Sequence, residues 1–305
     1  MQNNMQEAKP WLKLSALLVF ILAMALVTVL GSDGDFEMNL DNPKTILLLK
    51  VLQAVSVLLI FIVPSLLFAI FWTKPGFHYL GLSIKPAITT LFFAGAGMLL
   101  AMPMINWLSD LNQHLKLPEA LSGLELWMQQ SESKATQLTD AFTKGSSIDV
   151  LIINLVVIAL MAAVSEELFF RGILQKVLVE STRNTHLSVW IGAIIFSAFH
   201  MQFLGFVPRM LMGAYLGYLF LWSGSLWPGI IAHFINNGMA VFLIWLSNRG
   251  TITQEVDTLG IQEGELIYVA TSIILVAVSL LLVYRIEKKR KLLKNIDLST
   301  TSTVI

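Results

Sequence analysis

The chain contains no cysteine. That excludes disulfides, thiolate nucleophiles and cysteine-ligated metals together, and it says nothing about redox compartment. Charge is scarce as well. Only 13% of the 305 residues are Asp, Glu, Lys or Arg, against roughly 25% in an ordinary soluble domain. The formal net charge is zero, so no field of one sign draws the chain to nucleic acid, and none is expected as a partner. No internal repeat or low-complexity tract stands out. What is abundant is apolar side chain, 56% of the total, with a mean hydropathy of +0.73. This composition predicts an all-α, polytopic membrane protein, because helices satisfy their own backbone hydrogen bonds in lipid.

Runs of about 20 apolar residues mark spanning helices. Eight are expected, at Trp11–Leu30, Thr45–Trp72, Ala87–Leu108, Val150–Val179, Leu187–Phe203, Pro208–Trp222, Leu226–Leu246 and Leu266–Tyr284. The first is too long for a signal-peptide core and reads as a retained helix. The chain divides into 1–149, with three helices and a long outer connection, 150–247, which holds the polar core residues, and 248–305, a last helix with a basic tail. That tail, Arg285–Lys294, carries six basic residues and one acidic. The segment Ser32–Pro43 carries three aspartates, one glutamate and no basic residue. With Lys74, Lys85, Lys176 and Arg183, the positive-inside bias puts both termini in the cytoplasm; the tail reads first as a simple stop-transfer signal and also suits anionic lipid headgroups. A bacterial inner membrane is the expected home. The polar connection Ser109–Asp149, which includes Leu124 and Trp127, is expected outside, as an interfacial helix or a lid.

Against this background several polar side chains stand out. Glu166, Glu167 and Arg171 lie in SEELFFRG, His200 in FSAFH, and His233, Asn236 and Asn237 in HFINN. An ionisable group inside a bilayer costs about 2.5–3.5 kcal/mol or more, so it persists where it faces protein and does something there. Adjacent residues on a helix point about 100° apart, so Glu166 and Glu167 cannot share a role. Glu167 precedes Arg171 by one turn, the order that favours an ion pair, and is expected to support. Glu166 is the freer carboxylate, and burial suits it to act as a general base towards water. His233 and Asn237 share a helix face and together could bind an oxyanion. Asn236 is turned away from Asn237 and is the weaker partner. The quieter readings are a carboxylate pair solvated at a helix end, a packing histidine at 200, and asparagine as interhelical glue.

The ordered set Glu166-Glu167-x-x-x-Arg171, Phe196-x-x-x-His200 and His233-x-x-x-Asn237 resembles the CPBP family. This is the CAAX prenyl protease and bacteriocin-processing group, also called Abi or type II CAAX proteases. The likeness covers about residues 150–240; the earlier helices match in hydropathy alone. It implies an eight-helix intramembrane endopeptidase with its cavity open to the cytoplasm and a membrane-associated protein or peptide substrate, which in the family can be prenylated. It implies that Glu166 and His200 activate a water while His233 and Asn237 stabilise the oxyanion. Members are often labelled metalloproteases. Glu166, His200 and His233 could ligate zinc, but a ligating Glu166 could not also serve as a free base, so no metal is expected to be required. A transporter or proton relay, and a catalytically silent immunity or scaffold protein, are the competing classes.

Several residues carry a plainer reading. Gly213, Ala214 and Gly217 form a small-residue face for close helix packing. Arg209 is expected to be an interfacial anchor. Met98, Met102 and Met104 are expected in the core or against lipid. His78, His114 and His186 fall in connections and are given no role.

Overall fold

The computed structural model describes residues 8–30, 40–72, 76–114, 117–252 and 258–301. Among them there is helix and no strand. The helices are α1 Pro10–Leu30, α2 Pro43–Trp72, α3 Ile88–Leu100, α4 Met102–Gln113, α5 Ser122–Thr143, α6 Ile148–Thr182, α7 Thr185–Phe199, α8 Phe206–Ser223, α9 Trp227–Asn248 and α10 Leu266–Thr301. The chain is an all-α, integral membrane protein. Five of these helices (α2, α6, α8, α9 and α10) are long and apolar enough to cross a membrane, α8 counting from Phe203, and α3 with α4 would make a sixth span. The described apolar parts Pro10–Val19 and Thr185–Phe199 are shorter. Among the described residues, length and composition support five or six crossings, and the expected eight are not confirmed. The segment expected at Ala87–Leu108 bends by 44° between α3 and α4, where Pro103 cannot donate a backbone hydrogen bond.

Local chemistry sets the helix ends. Asn42 accepts from the Lys44 amide at the start of α2, and Asn184 accepts from Leu187 at the start of α7, each satisfying an otherwise unpaired amide. Gly224 ends α8 at φ 69°, a left-handed cap that glycine adopts without strain. The connection after α4 forms the 22-residue helix α5.

Polar contacts sort the helix ends into two faces. At one face Lys13 pairs with Glu180 at 2.8 Å, Glu287 accepts from Thr90 at 2.6 Å, and Arg290 bonds the Lys85 carbonyl. This is the basic face. At the opposite face Asn112 donates to the Phe203 carbonyl, Trp127 packs on Phe203, and Asn248 donates to the Thr143 carbonyl. The small-residue face behaves as its composition predicts. A Cβ on Gly213 would lie 3.1 Å from the Ala193 backbone, and one on Gly217 would lie 3.0 Å from Val189, so α7 and α8 touch almost backbone to backbone.

Candidate active site

α6 is not a regular helix. It contains two π-helical segments, Leu155–Leu160 and Phe170–Gln175, and the Glu166-Glu167 pair lies between them. Each π turn shifts the faces that follow it, which is why such turns recur at functional sites. No glycine or proline marks the first of them.

Glu167 is sealed from solvent, and Arg171 is 2% exposed. Arg171 donates from Nη1 to Glu167 Oε1 at 2.6 Å and from Nη2 to the Gly213 carbonyl at 2.9 Å. The spacing that predicted the pair thus also ties α6 to α8. From α9, His233 brings Nδ1 to 3.2 Å from the same Oε1. That oxygen accepts, so His233 Nδ1 carries a proton and donates. Its other nitrogen, Nε2, lies 3.9 Å from Glu166 Oε2.

His200 is the first residue beyond α7. Its Nδ1 donates to the Phe196 carbonyl at 2.9 Å, which leaves Nε2 pointing at Glu166 Oε2, 3.8 Å away. The ring of Phe196 joins the pieces. It lies edge-on to both histidines, at 5.0 and 5.8 Å between centroids, and under the Arg171 guanidinium at 4.7 Å. Immediately after His200, Met201 takes φ 55°. A side chain other than glycine in this left-handed region costs about 1–2 kcal/mol, so the turn that presents His200 is held in place by its surroundings.

Three helices therefore deliver two ring nitrogens to one carboxylate oxygen. Glu166 Oε2 is buried and has no hydrogen-bond partner. Its side chain is 12% exposed, against 27% for His200 and 2% for His233, so access comes from the His200 side. The two gaps are too long for direct hydrogen bonds, and a water at about 2.8 Å from either partner fits between them. Asn237 is half-buried one turn beyond His233. Its Oδ1 accepts from Asn236 at 3.1 Å, which leaves its own amide N–H groups free to donate. Asn236, expected to turn away, is thus what orients Asn237.

Donors around a tetrahedral zinc stand about 3.3 Å apart, given bonds of about 2 Å, and the Glu166–histidine separations exceed that. Among the described residues no three His, Cys, Asp or Glu side chains form a group able to hold a metal ion. As arranged, Glu166, His200 and His233 do not fit that role.

Two residues of the site were not legible in the sequence. Arg209 begins α8 like an interfacial anchor, yet it folds back and donates to the Gln202 carbonyl at 2.9 Å and side chain at 3.1 Å. Its charge is close enough to act on Glu166, His200 and Glu132. Glu132, from α5, has a buried oxygen without a hydrogen-bond partner and lines a cavity of about 390 Å³ with Ser109, Gln113, Thr136, Leu204 and Gly205. Arg209 stands at the very start of the run Pro208–Trp222, where an anchor is expected, and Glu132 lies in no apolar run, so neither carries the signal that singled out Glu166. Among the remaining histidines, His186 bonds the Tyr218 hydroxyl at 3.1 Å and His114 the Asp110 carbonyl at 2.7 Å, and both contacts are local packing.

Comparison with known proteins agrees with the motifs. Residues 148–239 match the family described as "Type II CAAX prenyl endopeptidase Rce1-like". The resemblance to the CPBP family is thereby borne out on the segment that carries all three motifs. A relative from Bacillus subtilis (strain 168), "Uncharacterized protein YpbD", is 32% identical over 86 residues. That stretch covers 27% of this chain and 41% of the relative. No solved structure matches the chain.

Proposed function

We propose that this chain, whose 148–239 segment is of the type II CAAX prenyl endopeptidase kind, is a membrane-embedded endopeptidase that hydrolyses a peptide bond with a water activated by Glu166. One observation carries the reading. Glu166 Oε2 is a buried acceptor without a hydrogen-bond partner, and it faces two imidazole nitrogens at 3.8 and 3.9 Å. A proton relay would need a continued chain of titratable groups towards both faces. Towards the basic face Glu167 and Arg171 are sealed in an ion pair, and Phe170, Ile173, Val177 and Leu226 beside them are buried apolar side chains.

The water sits between Glu166 and His200. His200 Nε2 accepts a hydrogen bond from one O–H of the water and orients it, and Glu166 removes the other proton as the oxygen attacks the carbonyl carbon. The new C–O bond turns the carbonyl oxygen into an oxyanion. The free amide of Asn237 donates to it. Glu166 then returns the proton it took from water to the amide nitrogen, the oxyanion collapses to the new carboxyl group, and the C–N bond breaks with release of the amine. Glu167 and Arg171 touch no reacting atom; they fix the ring of His233 and the backbone of α8. The substrate is a membrane-associated protein or peptide.

The test is cleavage by purified protein, monitored together with thermal unfolding in detergent. Glu166→Gln and His200→Ala are each expected to lower cleavage by about 10²- to 10⁴-fold without lowering Tm. Full cleavage by both variants would end the proposal. Exhaustive chelation is expected to leave wild-type cleavage intact. Loss on chelation with recovery on zinc would instead make Glu166, His200 and His233 ligands.

A further inference from the structure

Asparagine inside a membrane protein commonly bonds one helix to another, because lipid offers its amide no partner. Asn236 does not serve in that way. It stands on the side of α9 turned towards α3 and α4. What lies there is a cavity of about 200 Å³, which it lines with Met98, Met102, Ile105, Asn106 and Met239. Asn106, the other amide of that lining, donates instead to the Leu259 carbonyl at 3.2 Å. The one side-chain hydrogen bond that Asn236 makes among the described residues stays on its own helix, from Nδ2 to Asn237 Oδ1 at 3.1 Å. A bond between neighbours on one helix joins no two helices, so it does not hold the bundle together. What it does is constrain Asn237.

An amide side chain has two ends of nearly the same shape, a C=O that accepts and an NH2 that donates. His233 and Asn237 are one turn apart on one face of α9, and that face brings His233 to 3.9 Å from Glu166 and 3.2 Å from Glu167. Turned one way, Asn237 offers N–H donors; turned the other way it offers a carbonyl oxygen, which repels an oxyanion. By donating to Oδ1, Asn236 occupies the accepting end and leaves the donating end for the reacting carbonyl. The reverse pairing, with Asn236 accepting, would spend an N–H of Asn237 and swing its oxygen round.

Resting on the endopeptidase reading, we propose that Asn236 is a positioning residue for the hydrolysis: its Nδ2 donor fixes the Asn237 amide so that N–H, and not C=O, meets the oxyanion. Asn236 itself touches no reacting atom. Losing one oxyanion donor costs about 10²–10³ in kcat, and losing its orientation costs part of that.

The full chain in detergent is assayed on quenched-fluorescent peptides with and without a prenylated C-terminal cysteine. Then kcat, KM and Tm are measured on a peptide that the wild type cleaves. Asn236→Leu, of similar size but without a donor, is expected to lower kcat about tenfold at unchanged KM and without lowering Tm, because the interaction it supports is made only in the transition state. Asn236→Asp can only accept, so it turns the Asn237 amide round, and is expected to lower kcat by about 10²-fold or more. In an Asn237→Ala background, Asn236→Leu is expected to cost nothing further. Met239→Leu, which reshapes the cavity and keeps the bond, should cleave at the wild-type rate. Wild-type kcat in either Asn236 variant would overturn the proposal. So would a full loss on adding Asn236→Leu to Asn237→Ala, or a loss in Met239→Leu as large as that in Asn236→Leu, since packing around the cavity would then be responsible. Wild-type kcat in Asn237→Ala, or no peptide cleaved by the wild type, would bring down the mechanism itself and this proposal with it.

Discussion

At the scale of single residues, the arrangement depends on Glu167, a carboxylate to which the proposed mechanism gives no chemical step. Glu167 accepts from Arg171 and His233 through one oxygen, and its other oxygen, Oε2, has no hydrogen-bond partner. Gly229 of α9 faces that second oxygen so closely that a Cβ there would lie 2.6 Å from it. The contact cannot be relieved by a flexible side chain, because Glu167 is held by two partners. Gly229→Ala is therefore expected to shift Glu167, unseat His233 and cut cleavage by tenfold or more, with a stability loss of about 1–3 kcal/mol from overpacking. Cleavage rate and detergent Tm measured on one preparation check both halves; wild-type values for both would mean that Glu167 moves freely. Glu167→Ala goes further. Breaking a buried pair by removing one partner costs about 3–5 kcal/mol, since Arg171 would keep its charge at 2% exposure. The different surroundings of Glu166 and Glu167 could be read from sequence because neighbours on a helix diverge. Arg209 could not be placed, because an arginine at a helix start looks the same whether it snorkels to lipid or folds back onto Gln202.

At the scale of helices, α6 and the α7–α8 pair behave differently under sequence reading. The close approach of α7 and α8 was visible as Gly213, Ala214 and Gly217, since only small side chains let two backbones meet. The π turns of α6 were invisible. The first extends an apolar run with Leu, Val, Ile and Ala, residues equally at home in an α-helix. Their effect is specific. Arg171 lies inside the second π turn and from there reaches the Gly213 carbonyl. Gly213 is thus both the contact point with Ala193 and the acceptor for Arg171. Gly213→Val would drive a branched side chain into Ala193 and Phe196, 3.1 and 3.2 Å from the first added carbon. It is expected to destabilise the fold by about 1–3 kcal/mol and to lower cleavage more than stability alone explains, because the Arg171–Glu167–His233 chain hangs from that carbonyl. Gly213→Ala, with one methyl, should fall between. A Tm series over Gly, Ala and Val that stayed flat would show that the helices are not in contact there.

At the scale of the whole molecule, α10 is attached by a stripe that hydropathy alone disguises. Val269, Ser272, Val276, Ser279, Val283 and Glu287 recur at spacings of three or four and are all buried, although most sit in a stretch apolar on every side. Ser272 donates to the Leu100 carbonyl at 2.5 Å, Ser279 to Phe93 at 2.6 Å, and Glu287 accepts from the Ala87 amide and the Thr90 hydroxyl. In lipid, apolar side chains gain nothing by preferring protein to tails, so these polar stitches and close packing must hold α10 to α3. Glu287 carries the largest share. It caps the start of α3 from another helix, and Arg290 pairs with it at 3.3 Å. Glu287→Ala leaves the Thr90 hydroxyl and an amide without their acceptor, at a cost of about 1–3 kcal/mol. Ser279→Ala, which removes one neutral hydrogen bond, should cost about 0.5–1.5 kcal/mol. Both should unfold at lower temperature in detergent, Glu287→Ala the more so, and both should cleave at the wild-type rate below that transition, since no part of the stripe touches Glu166, His200 or His233. If Glu287→Ala instead abolished cleavage in folded protein, the anchoring of α10 would have to reach the site, and the separation between the scaffold and the polar centre drawn here would fail.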